Sequence, residues 1–151
     1  MVQRLSRLVA LAFGAGLSPV APGTVGTLWA WVAWRIASPF LGAAAIAAVI
    51  VLGFALGVWA CQRTADALGV ADHGAIVWDE VIAFWIVLAL LPASFGAQLA
   101  GFLLFRVFDI AKPPPIRQVD ARLHNGFGVM ADDLIAAFYT LLVIAAWEAW
   151  A

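Results

Sequence analysis

The chain has 151 residues, 66% hydrophobic and 11% charged, with eight Trp and a formal net charge of −1. Soluble domains hold roughly 45–50% apolar residues, so this composition, with a mean hydropathy of +1.02, excludes an ordinary soluble domain and predicts an integral membrane protein. The length allows one domain, 1–151, the near-neutral charge argues against nucleic acid as a partner, and the single Cys61 excludes an internal disulfide or a cysteine-only zinc site.

Residues 1–7 are polar enough to lie at a membrane surface, and 8–16 are too short to span. This basic, apolar opening is expected to belong to the working protein rather than to a cleaved signal peptide. Residues 16–24 (G-L-S-P-V-A-P-G-T) read as a loop from their prolines and glycines. A short apolar helix is predicted over 24–36, ended by Pro39. The clearest span is 41–62. Helices over 76–91 and 96–111 follow, stopped by Pro92 and by the Pro113, Pro114, Pro115 run, and 132–150 is the last. The expected fold is all-α, a multi-helix integral membrane bundle of about four to five apolar helices. Trp29, Trp31, Trp34, Trp147 and Trp150 suit interfacial belts.

Charge collects in three islands: 63–80, 106–122 and 124–133. Alternate crossings put all three at one face, while the opposite turns around Pro39 and Pro92 are short and bland. Arg4, Arg7, Arg63, Arg106, Lys112, Arg117 and Arg122 share the motif face, and Arg35 alone lies opposite. An excess of Arg and Lys marks the cytoplasmic side, so the motif face is expected to be cytoplasmic.

Two acidic pairs, Asp79 with Glu80 and Asp132 with Asp133, open predicted spans from that face. Acids at helix starts serve as caps or dipole partners. Two pairs at one face suit a hard cation such as Mg²⁺, which takes oxygen ligands and is commonly held by carboxylates plus a substrate phosphate. Adjacent helical residues diverge by about 100°, so one acid of each pair, Glu80 and Asp133, is expected to face the centre. Arg106, Asp109 and Lys112 share a helix face. They form either a structural ion pair or a site in which Asp109 joins the metal while Arg106 and Lys112 hold phosphate. His73 reads as a solvated loop histidine or as a general acid. The turn from His124 to Gly128 is an ordinary Asn-Gly turn or a backbone cradle for an anion. Ser18 and Thr24 offer hydroxyls at the same face, with Thr24 also a good helix cap. Segments for cysteinyl-phosphate, aspartyl-phosphate and histidine routes to phosphate hydrolysis are absent. Metal-assisted attack by water remains.

Four blocks, G-L-S-P-V-A-P-G-T-V-G-T-L (16–28), D-H-G-A-I-V-W-D-E (72–80), F-R-V-F-D-I-A-K-P-P-P-I (105–116) and H-N-G-F-G-V-M-A-D-D (124–133), resemble the phosphatidylglycerophosphatase A family in order and spacing. The resemblance implies a Mg²⁺-dependent, multi-pass phosphatase of the bacterial inner membrane. Its phospholipid substrate would be phosphatidylglycerophosphate, and its product phosphatidylglycerol, the precursor of cardiolipin. The family's acids carry over onto Asp79, Glu80, Asp109, Asp132 and Asp133 without individual roles. The expected assignment places Asp79, Asp109 and His73 in catalysis. It places Glu80, Asp79, Asp132 and Asp133 at the metal, and Arg106, Lys112, Thr24, Ser18 and Gly126 on the substrate phosphate. A small membrane transporter and a non-enzymatic membrane subunit are the alternatives. A transporter would hold its acids near mid-membrane, and a subunit would not depend on them. Oligomeric state is left open.

Overall fold

The computed structural model describes residues 2–70 and 73–150; Met1 of the expected surface segment and Asp72 of the D-H-G motif lie outside them. Seven α-helices occur among the described residues: α1 (Val2–Ala10), α2 (Pro22–Ala37), α3 (Ala43–Leu68), α4 (Trp78–Leu90), α5 (Phe95–Ala111), α6 (Ile116–Arg122) and α7 (Gly126–Trp150). Two 3-10 turns, Ala12–Leu17 and Ser38–Phe40, link the first of them.

Local chemistry sets the helix ends. Pro22 takes the first position of α2, where its missing N–H costs nothing. Gly69 ends α3 in the left-handed conformation (φ 71°), with its N–H on the Ala65 carbonyl. The Ser94 hydroxyl accepts from the Ala97 N–H at 3.3 Å and caps α5.

The centre of the molecule is α4, packed against α2, α3 and α7. Beyond the two acids of its first turn it is apolar on every side, so it suits a core position rather than an amphipathic surface. Val81, Ala83, Phe84 and Val87 have no exposed surface. Phe84 stacks on Phe105 of α5 with ring centroids 5.6 Å apart. Ahead of the helix, the Val77 N–H donates to the Ala10 carbonyl at 2.9 Å. Trp78 Nε1 donates to the Gly53 carbonyl at 2.9 Å. The first turn of α4 is therefore tied to α1 and α3, and its two acids are held in place.

Helix boundaries depart from the expected ones in instructive places. The span expected at 41–62 runs as Ala43–Leu68, so the start of the first charged island is helical. The last helix begins at Gly126 rather than at Asp132. Its glycines are needed for packing, since a Cβ on Gly126 would strike the Val58 carbonyl and one on Gly128 the Leu123 carbonyl. Thr24 is not the cap of α2; the helix starts before it, with Ala21 as N-cap. Trp34 is buried against Trp85 rather than placed in an interfacial belt, while Trp147 and Trp150 are exposed.

Two helices, α3 and α7, are long and apolar enough to cross a membrane. The others are short: α2, α4 and α5 have 16, 13 and 17 residues, against about 20 for a perpendicular crossing. The mid-helix Val51 and Leu52 of α3 are exposed, a surface that lipid would cover.

Candidate metal and phosphate site

Three helices deliver five carboxylates to one end of the bundle. Asp79 and Glu80 come from the first turn of α4, Asp109 from the end of α5, and Asp132 and Asp133 from the second turn of α7. They form two triads, each with oxygens within 4.8 Å of one another: Asp79, Asp132 and Asp133 in one, Glu80, Asp109 and Asp133 in the other. Asp133 belongs to both. The expectation that one acid of each pair faces the centre is thus corrected. Neighbours on α4 diverge, yet each meets a different partner on α5 or α7, and Asp133 joins the two.

Capping does not account for these acids. The N-cap of α4 is Val77, which makes no side-chain cap bond. A dipole partner at a helix start is stable in water, whereas Asp79, Glu80, Asp132 and Asp133 are 7%, 8%, 4% and 3% exposed. Asp79 Oδ1, Glu80 Oε2 and Asp133 Oδ2 are buried with no hydrogen-bond partner among the described residues. Burying a carboxylate oxygen without a partner is costly. Triads of carboxylate oxygens within 4.8 Å of one another, with an orphaned oxygen on Asp79, Glu80 and Asp133, fit a hard divalent cation.

Two cations border the cluster. Arg106 lies on α5 with its side chain 12% exposed. Its Nη1 donates to Asp109 Oδ2 and, at 3.5 Å, to Glu80 Oε1. Its Nε is buried without a partner among the described residues, a donor left for a further oxygen ligand. Lys112 follows α5 as its left-handed cap (φ 42°). Its Nζ reaches Asp132 at 2.7 Å and Asp120 of α6 at 3.1 Å. Burial pulls the Lys112 pKa down, but the hydrogen bonds and charge of Asp132 and Asp120 outweigh it, and the ammonium is held above its ordinary range.

The other expected residues divide. The first turn of α2 does reach the site: a Cβ on Gly23 would fall on Glu80 Oε1 and the Arg106 guanidinium. Thr24 follows in the same first turn, half-buried, where the backbone N–H groups lack intrahelical partners. Ser18 bonds locally, donating to the Val20 carbonyl at 2.8 Å. The Gly126 N–H is already taken, donating to Gln62 Oε1 at 2.7 Å, and the Gly128 N–H donates to Asn125 Oδ1 at 2.8 Å. His73 is exposed, and its Nδ1 accepts from the Ala75 N–H at 3.2 Å. The structure does not bring it into either triad.

Three contributors were missed in the sequence. Gln62 fastens the start of α7 to α3 and also donates to Asp66 at 2.8 Å; a lone amide ending a long apolar run was its signal. Asp120 shares Lys112, and nothing in its surroundings marks it out. Tyr139 donates to the Pro114 carbonyl at 2.8 Å and pins the proline run to α7; as the chain's one Tyr it was visible but not interpretable.

The fold and this site define an all-helical protein with a buried carboxylate centre at one end of its bundle, bordered by Arg and Lys. Residues 8–148 match the family described as Phosphatidylglycerophosphatase A. A Phosphatidylglycerophosphatase A from Haemophilus influenzae is 46% identical over 144 residues, covering 95% of this chain and 88% of the relative. Another of that name, from Escherichia coli, is 46% identical over 130 residues, covering 85% and 75%. A protein of Bacteroides thetaiotaomicron, provisionally named a phosphatidylinositol-3-phosphatase, is 37% identical over 145 residues, covering 91% and 90%. No solved structure matches the chain. The chain belongs to the phosphatidylglycerophosphatase A family.

Proposed function

We propose that this protein is a Mg²⁺-dependent lipid phosphatase that converts phosphatidylglycerophosphate and water to phosphatidylglycerol and inorganic phosphate. It would work in phospholipid biosynthesis, at the cytoplasmic face of the bacterial inner membrane. The observation that supports this most is the pair of buried triads joined through Asp133, with orphaned oxygens beside Arg106. Family membership supports the substrate.

Asp79, Glu80, Asp132 and Asp133 would hold Mg²⁺. When bound, it would neutralise phosphoryl oxygens and lower the proton affinity of a water. The remaining roles fall to the chain. Arg106 bonds Asp109 through Nη1, which leaves Nε to donate to a phosphoryl oxygen as charge develops there. Asp109, held in position by that guanidinium, is placed to accept a proton from the attacking water. The P–O bond to the glycerol then breaks, and its oxygen takes a proton to become the free hydroxyl of the product. Lys112, occupied by Asp132 and Asp120, positions Asp132 rather than substrate. Gly23 lets the first turn of α2 approach Glu80 and Arg106, because any side chain there would displace them.

A multi-pass bundle is the membrane reading we favour, with α3 and α7 crossing and the shorter helices packed beside them. On α1, Val2, Leu5 and Leu8 form an exposed apolar stripe at i, i+3 spacing beside Arg4 and Arg7. That pattern suits a helix lying in the headgroup layer. The gathering of all five acids at one end disfavours a transporter, whose acids belong at mid-membrane.

The test is phosphate release by the purified full chain from phosphatidylglycerophosphate in mixed micelles, with Mg²⁺ and with excess chelator. Phosphatidylinositol 3-phosphate serves as the comparison substrate. Mg²⁺-dependent release that prefers phosphatidylglycerophosphate is expected. Release from neither lipid by folded protein contradicts the reading.

A further inference from the structure

The end of the bundle away from the carboxylates holds a second polar feature. Arg35 sits in the last turn of α2, 12 residues past Gly23, or about 18 Å along the axis at about 1.5 Å per residue. A cavity of about 410 Å³ opens there, lined in part by Trp34, Arg35, Ser38, Leu91 and Gln98. An apolar groove of about 350 Å³ adjoins it and shares Arg35, with Trp31, Val32, Ile36 and Phe95 as its other walls. Trp31 and Phe95 stack there with centroids 5.6 Å apart.

The polar groups are all ready to donate. Arg35 Nη1 donates to the Ala93 carbonyl at 3.0 Å. That uses one of five N–H groups on a side chain that accepts nothing. No carboxylate pairs with Arg35 among the described residues; Glu148, the acid at this end of α7, lines a different groove with Ala97, Ala100 and Leu104. Gln98 is 2% exposed, and its Oε1 is taken by Trp31 Nε1 at 2.8 Å. The end of Gln98 left over is therefore its NH₂ group. The Ser38 hydroxyl adds a third donor. An uncompensated guanidinium with two neutral donors suits an oxyanion carrying net negative charge. The adjoining aromatic groove suits an acyl chain.

We propose that Arg35, Gln98 and Ser38, with the groove walled by Trp31, Val32, Ile36 and Phe95, form a second lipid site. It holds a net-anionic phospholipid by its phosphate, at the end of the bundle opposite the carboxylates. The guanidinium binds the phosphate as a fork, and the excess positive charge selects against a zwitterionic headgroup. This site rests on the membrane location proposed above and not on hydrolysis, so the two readings fail separately.

The test is native mass spectrometry of the full chain released from detergent in the presence of dioleoyl phosphatidylglycerol or dioleoyl phosphatidylcholine, with chelator present. Wild type should retain the anionic lipid about tenfold more strongly, and Arg35→Gln should lose that preference while keeping wild-type phosphate release. Equal retention of the two lipids by wild type, or a preference that survives in Arg35→Gln, overturns the proposal. If Arg35→Gln does not fold, Phe95→Ala takes its place, because Phe95 is exposed. Its retention of the anionic lipid should fall at least about threefold, and unchanged retention overturns the proposal equally.

Discussion

The two carboxylate triads share Asp133 but are neutralised differently. In the first, Asp132 is relieved by Lys112, a half-buried ammonium that also serves the surface acid Asp120. In the second, Glu80 and Asp109 are relieved by Arg106, whose side chain is 12% exposed and which has no other acid partner among the described residues. Asp79 has neither. It is buried, with Oδ1 unpartnered among the described residues, and faces two acids of α7. The contrast separates a rim from an interior. Lys112 secures one acid from outside, Arg106 works within the centre, and the charge left over in the middle is what a divalent cation would balance.

Breaking the shared member should have the largest effect. Asp133→Asn removes an oxygen ligand from both triads at once, and phosphate release should fall by on the order of 10³-fold at any Mg²⁺ concentration. Next is the interior cation: Arg106→Lys keeps the charge but loses the buried Nε donor that Nη1, bonded to Asp109 and Glu80, leaves for a phosphoryl oxygen. A fall in kcat of about 10²-fold is expected from initial rates. Gly23→Ala attacks the same triad by bulk alone, since its Cβ would displace Glu80 and Arg106. Displacing reacting groups by about 1 Å can cost about 10²-fold. Gly96→Ala, where a Cβ meets open space, should leave the rate unchanged. At the rim, Lys112→Met should lower kcat about tenfold by freeing Asp132 to move, the range seen when a ligand loses its orienting partner. The smallest effect belongs to Asp120→Asn. The Asp120 side chain is 38% exposed and pairs with Lys112 at 3.1 Å, so the rate should stay within about threefold of wild type. A loss as large as that of Lys112→Met would merge rim and interior.

Much of this arrangement was legible in the sequence because charge is rare in so apolar a chain. All five acids, Arg106 and Lys112 stood out as polar interruptions, and helix order followed from proline and glycine punctuation. Partner choice was not legible. Helical spacing relates Arg106 to Asp109 within α5, but only packing puts Glu80 of α4 against the same guanidinium. Lys112 read as a phosphate ligand because its partners Asp120 and Asp132 lie on other helices, α6 and α7, beyond the proline run. The glycines of 126–128 read as a loop, since an isolated Gly lowers helix propensity; here close helix packing overrides that cost. His73 shared a motif with Asp79 and Glu80, yet it sits in a turn ahead of their helix, where the Ile76 N–H donates to its carbonyl at 2.7 Å.

The most direct test of the shared centre is Mg²⁺-dependent thermal stabilisation of the detergent-solubilised protein, wild type beside Asp133→Asn. A cation bound only by the folded state raises apparent stability. Saturating Mg²⁺ should raise the wild-type Tm by about 5 °C or more and leave the folded variant unmoved. An equal rise in both proteins, or none in wild type, would contradict a cation site built around Asp133.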